Sequence, residues 1–154
     1  MGGRKPAGKQ PGARGHRTVP HTADMRVEAW SPTAEGCIAE AVRAVLEGFA
    51  DTSSASVVGE RAYAVTAESD EDLLVSVLEE VVYRMDADGE IPLDLEVGTI
   101  RSAGFGRVLC TVRFCMADAG TAVAVGAVPK AVSLHGLRLR GGPGGWSCGV
   151  TLDV

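Results

Sequence analysis

Apolar and polar residues alternate from Met25 to Trp30, with Met25, Val27 and Ala29 on one face and Arg26, Glu28 and Trp30 on the other. A period of two predicts a strand. Ser31-Pro32-Thr33 interrupts it, and Thr33 is placed to cap a helix. From Ile38 the period lengthens. Ile38, Ala41, Val42, Val45, Leu46 and Phe49 recur at steps of three and four, and Glu40, Arg43 and Glu47 are expected to face water. Asp51-Thr52-Ser53-Ser54 should end that helix. Residues 61–67 alternate again and predict a second strand. Ser69 then opens a second helix, with Asp70, Glu71 and Asp72 in its first turn, where the helix dipole favours anions. Its stripe, Leu73, Leu74, Val77, Leu78, Val81, Val82 and Met85, runs without a gap.

After the turn at Asp86-Ala87-Asp88-Gly89-Glu90 the chain reads as strands. Ile91 to Arg101 and Arg107 to Met116 alternate and are separated by Gly104-Phe105-Gly106. Asp118-Ala119-Gly120 makes another turn. Lys130 to Arg140 and Ser147 to Val154 form the last pair, joined through the glycine-rich loop from Gly141 to Gly145. Two helices and about six or seven strands predict an α+β fold, with both helices packed on one face of a largely antiparallel sheet. Residues 1–18 show no apolar period and read as a disordered basic tail, which leaves 19–154 as a single domain.

The 154 residues suit one domain, which buries roughly two-thirds of its unfolded surface. Hydrophobic residues make up 45% but aromatics only 5%, so Val, Ala and Leu must build the core. No stretch reaches the roughly 20 apolar residues of a membrane span, and no apolar segment follows the basic start as in a secretory signal. The expected location is the cytoplasm. The four cysteines, Cys37, Cys110, Cys115 and Cys148, include no Cys-x-x-Cys pair and read as free thiols in a reducing compartment. The net charge of −5 is unevenly spread: Arg4, Lys5, Lys9, Arg14 and Arg17 sit in the tail, leaving 10 basic against 20 acidic residues elsewhere. So acidic a body is a poor nucleic-acid binder overall and is better suited to docking on a basic protein surface.

Candidate chemistry gathers at the two ends of this domain. Asp24 precedes the first strand within His21-Thr22-Ala23-Asp24, and Asp153-Val154 closes the last. If the fold brings them together, two side-chain carboxylates and the α-carboxylate of Val154 converge. Such hard oxygen donors suit Ca²⁺ or Mg²⁺. Without a cation they would repel one another and one would hold its proton. His21, His135, Lys130 and Asp118 are candidate supporting groups. Singly, each has an ordinary structural explanation. There is no nucleophile elbow, no phosphate-binding glycine loop opening a helix and no His-x-x-x-His.

His21-Thr22-Ala23-Asp24, the helix segment Leu78-Glu79-Glu80-Val81-Val82-Tyr83, Lys130-Ala131-Val132-Ser133-Leu134-His135, and Trp146 with the closing Leu152-Asp153-Val154 together resemble the archease family in order and spacing over residues 20–154. The resemblance implies an accessory protein, not an enzyme. Archeases activate the GTP-dependent RNA ligase of tRNA splicing and RNA repair, promoting its guanylylation and its multiple turnover. The resemblance also implies a metal site on Asp24 and Asp153 with the C-terminal carboxylate nearby, a protein partner, and RNA reached only indirectly through that partner. Between Met116 and Pro129 only Asp118 offers a further acid. Two other readings stay open at this point: a metal-dependent phosphoester hydrolase using the same acids, and a metal-free protein-binding module.

Overall fold

The computed structural model describes residues 12–19 and 24–154. Strand β1 (Gly15–Val19) leads to β2 (Asp24–Ser31), helix α1 (Ala34–Phe49), β3 (Ala50–Asp51), β4 (Val57–Ala67), helix α2 (Asp70–Tyr83) and a π-helical turn at Arg84–Asp88. Then come β5 (Glu90–Val97), β6 (Arg101–Gly104), β7 (Arg107–Asp118), a 3₁₀ turn at Ala119–Thr121, β8 (Val123–Ala124), β9 (Ala131–Gly142) and β10 (Gly145–Asp153). The expected α+β fold holds, with ten strands among the described residues rather than six or seven. The strands form two four-stranded sheets and a small ribbon of β3 with β8. One sheet, the terminal sheet, has the order β1-β2-β10-β9. In the other, the central sheet, β7 pairs with β4, β5 and β6. All pairings are antiparallel.

The two helices lie between these sheets and cover one face of each. Helix α1 packs on β2, β1 and β10 and also touches β5, while α2 touches β9 on one side and β4 and β7 on the other. That position explains why α1 is buried almost all round, from Cys37 through Ala39, Ala41 and Val42 to Leu46 and Phe49. Both helix starts are capped where the sequence places them. Thr33 Oγ1 accepts the Gly36 N–H at 3.0 Å, and Ser69 Oγ accepts that of Asp72 at 3.1 Å, contacts worth about 1 kcal/mol each. The α2 stripe buries Leu73, Leu74, Val77, Leu78 and Val81. The Ile91–Arg101 segment is two strands, β5 and β6, broken between Val97 and Arg101. Three cysteines are buried, Cys115 is half-buried, and all four are free thiols.

Two expectations need correction, and they share one cause. Residues 15–18 belong to β1, which pairs with β2 from Gly15 opposite Trp30 to Val19 opposite Arg26. The basic tail therefore ends before Gly15; residues 1–11 lie outside the described residues. Because β1 crosses α1, Glu40 is buried rather than facing water. Its carboxylate contacts His16 Nδ1 at 2.6 Å and accepts from Arg43 Nη1 at 3.2 Å. His16 Nε2 also reaches Glu47 at 2.9 Å. A histidine set between two carboxylates makes β1 a fastened strand.

Candidate functional site: an acidic end on the terminal sheet

The alternation of β2 buries Met25, Val27 and Ala29 against α1 and turns Asp24, Arg26, Glu28 and Trp30 outward. In β10, Cys148, Val150 and Leu152 face the core, so Ser147, Gly149, Thr151 and Asp153 share the outward face. The β2–β10 register sets Asp153 directly opposite Asp24. Residues so opposed project to the same side of an antiparallel sheet, with Cβ atoms about 5 Å apart. The start of β2 and the end of β10 therefore meet at one corner of the terminal sheet, and the residue each places there is an aspartate. Asp153 is exposed and Asp24 half-buried.

β9 completes the corner. Ala131 stands opposite Asp153 on its other side, and the Lys130 N–H donates to the Asp153 carbonyl at 2.7 Å. Val154 follows Asp153 and packs partly against the core, which draws the end of β10 inward. The side chain of Lys130 is exposed and borders a cavity of about 630 Å³ between the end of α2 and the start of β9, where Glu79, Tyr83 and Asp86 also lie. Nothing in the periodicity pointed to this cavity; it depends on how α2 packs beside β9.

The remaining candidates fall elsewhere. His135 is exposed on a bulge of β9. Thr151 pairs with Ser133 and Gly149 with Arg138, so residues 134–137 stand against Val150 alone. Gly136 makes the bulge possible with φ 70°, a left-handed conformation costly for other residues. Arg26 fastens it by donating from Nη1 to the Gly136 carbonyl at 3.0 Å and to Thr151 Oγ1 at 3.2 Å. The bulge carries His135 away from the residues that face Asp153. Asp118 is in the central sheet, opposite Glu90, and is committed to its own turn. Its Oδ1 accepts the Gly120 N–H at 2.9 Å and its carbonyl accepts Thr121 Oγ1 at 2.6 Å. Asp118 is thus a turn residue on different strands from the acid pair. His21 lies outside the described residues.

Two hard carboxylates facing one another fit a divalent cation that keeps several waters. Among the described residues, no group of three or more His, Cys, Asp and Glu side chains is arranged to hold a metal. Among the described residues, the acidic side chains set opposite each other at this corner are those of Asp24 and Asp153. The residue that sequence reasoning undervalued is Arg26. Its place on the same outward face as Asp24 was legible from the alternation, but its hold on the bulge was not.

An α+β protein with helices between two antiparallel sheets, and with its first and last core strands paired so that two aspartates face each other, is a specific arrangement. The model of the Archease protein family (MTH1598/TM1083) matches residues 16–154, and the chain belongs to the archease family. It is 51% identical over 148 residues to proteins described as probable protein archease from Mycobacterium tuberculosis strains CDC 1551/Oshkosh and ATCC 25618/H37Rv, covering 96% of this chain and 79% of each of those. The fold is similar to the solution structure of Methanobacterium thermoautotrophicum protein 1598, with a TM-score of 0.74 at 23% identity over 91% of this chain and 99% of that one. It is also similar to the crystal structure of a Thermotoga maritima archease, there titled a possible chaperone, with a TM-score of 0.54 at 20% identity over 88% of this chain and 94% of that one. Among the described residues, no helix is long and apolar enough to cross a membrane.

Proposed function

We propose that this chain is a non-catalytic accessory protein that promotes guanylylation and multiple turnover of a GTP-dependent RNA ligase in tRNA splicing or RNA repair. In this reading the acidic corner enters or borders the ligase active site. Asp24 and Asp153, with the carboxylate of Val154, would hold a Ca²⁺ or Mg²⁺ ion there. Such an ion would supply charge neutralisation for the phosphates handled by the ligase. The protein's own part is to present two carboxylates on a rigid corner, with β10 held on both sides by β2 and β9.

The observation that carries the reading is the register that sets Asp153 opposite Asp24. Membership of the archease family supports it. Among the described residues, no histidine stands in register with the acid pair, and Lys130 meets Asp153 through its backbone, so nothing described there favours the hydrolase reading.

The test is ligase turnover with and without this chain, using a ligase from the same genome and RNA ends bearing 2′,3′-cyclic phosphate and 5′-hydroxyl groups. The expected result is a single turnover or less for the ligase alone and many turnovers once the chain is added, with more guanylylated ligase. Asp24-dependent hydrolysis of RNA or GTP by the chain alone would replace this reading with the hydrolase one.

A further inference from the structure

Next to the acidic corner, the outward face of the terminal sheet changes sign. Its side chains form rows across the four strands. The row beside the acid pair runs Arg26, Thr151 and Ser133; the next runs Arg17, Glu28, Gly149 and Arg138; the third runs Gly15, Trp30, Ser147 and Arg140. Four guanidiniums therefore share one carboxylate in a chain whose net charge is −5. Strand spacing makes the patch about 14 Å square.

Two of the arginines are held in place. Arg17 binds Glu28 through Nη2 at 2.7 Å and Nε at 2.9 Å. Arg26 is tied to the β9 bulge, and its guanidinium lies against Gly149, where it occupies the position a Cβ would take. Arg138 Nη2 comes within 3.4 Å of that same position. Glycine at 149 thus opens a slot in which two cations approach over one strand. Glu28 answers them only in part. Burial works against its charge, but the hydrogen bonds and charge of Arg17, with the charges of Arg138 and Arg26, hold its carboxyl below the usual range. It is already ionised and has no more charge to give. Among the described residues, Arg138 and Arg140 enter no salt bridge.

We propose that this face binds a single strand of nucleic acid through its phosphates. Guanidinium forks and interleaved hydroxyls, here Ser133, Ser147 and Thr151, are the groups that contact phosphate and sugar. Arginine suits phosphate by its planar paired donors. The half-buried Trp30 lies on the same surface with its ring over Gly15, which adds the aromatic component that single-strand binders use for stacking. An acidic protein is the competing occupant of such a surface, and the polyglutamate competition below separates the two. The patch spans about four nucleotides, the lower end of single-strand sites. The proposal goes beyond the accessory reading, in which RNA is met only through the ligase, and does not depend on it.

The test is fluorescence anisotropy of the full chain with a labelled single-stranded RNA of about 12 nucleotides, titrated over a range of salt concentrations. Binding should weaken as salt rises, by about 0.7 log units per log unit of salt for each phosphate engaged. The double variant Arg138→Ala/Arg140→Ala, which breaks no salt bridge among the described residues, should bind at least tenfold more weakly at low salt, with the slope reduced by about 1.4. Arg101→Ala/Arg113→Ala in the central sheet and Arg4→Ala/Lys5→Ala/Lys9→Ala in the tail should leave binding within twofold, and thermal melts should show all three proteins folded. The proposal fails if the chain shows no salt-sensitive RNA binding, or if the tail substitutions alone abolish it. It also fails if the sheet variant binds normally, or if polyglutamate displaces RNA as well as unlabelled RNA does, since that would mark a surface for acidic protein.

Discussion

The two four-stranded sheets cover the same pair of helices but are assembled differently. The central sheet is built from the middle of the chain, residues 57–118, around β7. Its known contacts are structural: Phe114 is fully buried and stacks on Tyr63 with ring centroids 5.8 Å apart. The terminal sheet joins strands from opposite ends of the sequence, β1 and β2 with β9 and β10. It carries the facing aspartates, the arginine rows and the His16 clasp. Closing so long a loop costs entropy, and the buried faces of β2 and β10 against α1 supply the offset. One sheet therefore acts as scaffold, while the other brings distant groups to one surface. Within the terminal sheet the same logic repeats, as a single outward face runs from two carboxylates at its corner to four guanidiniums across its middle.

The largest effect that could break this division comes from the scaffold side. Phe114→Ala should cost about 3–5 kcal/mol, read as a lowered urea midpoint. Ligase activation per folded molecule should stay close to native at low temperature. A variant that remains folded yet fails to activate would show that the central sheet takes a direct part. A smaller effect tests the other side. Gly149→Ala puts a methyl group where the Arg26 guanidinium lies, so that side chain must leave Gly136 and Thr151. The expected stability loss is about 1 kcal/mol, the worth of the displaced hydrogen bonds, while RNA affinity should fall severalfold. Unchanged RNA binding in the folded variant would detach the slot from the proposed surface.

The smallest effect concerns β1. Burial opposes charge on His16, but its hydrogen bonds with Glu47 and Glu40 outweigh it and raise the imidazole pKa. A group whose folded pKa is raised stabilises fully below its unfolded value, about 6.5, and that contribution is lost as pH rises through the folded value. The hold of β1 on α1 should therefore weaken as pH rises above about 6.5. Trp30, whose ring covers Gly15, should report it as a red shift in fluorescence, and His16→Gln should remove the pH dependence. A shift of the same size in His16→Gln would place its origin elsewhere.

Much of the scaffold was legible because its signals are local. The stripe from Leu73 to Val81, the caps at Thr33 and Ser69, and the alternation of β2, β7 and β10 each show within a few residues. β1 was not legible. Gly15, His16, Arg17 and Thr18 offer no apolar alternation, because the strand lies at a sheet edge and is fixed by a histidine clasp and an Arg17–Glu28 pair. Missing it left Glu40 assigned to water. The acid pair was half legible. The sequence put Asp24 just before the first strand and Asp153 at the end of the last, and the family motifs made them one site, but which strands pair is set by long-range packing that no period encodes. The bulge at Gly136 and the cavity beside α2 belong to that same tertiary level.

The central claim is that Asp24 and Asp153 act as one site although nearly the whole chain separates them. A double-mutant cycle on ligase turnover tests it most directly, comparing Asp24→Asn, Asp153→Asn and the pair. Groups that work as a unit give losses that do not add. The account predicts that either single substitution lowers activation as far as both together, with the thermal melt unchanged. Losses that multiply in the double variant, as for two independent positions, would contradict it.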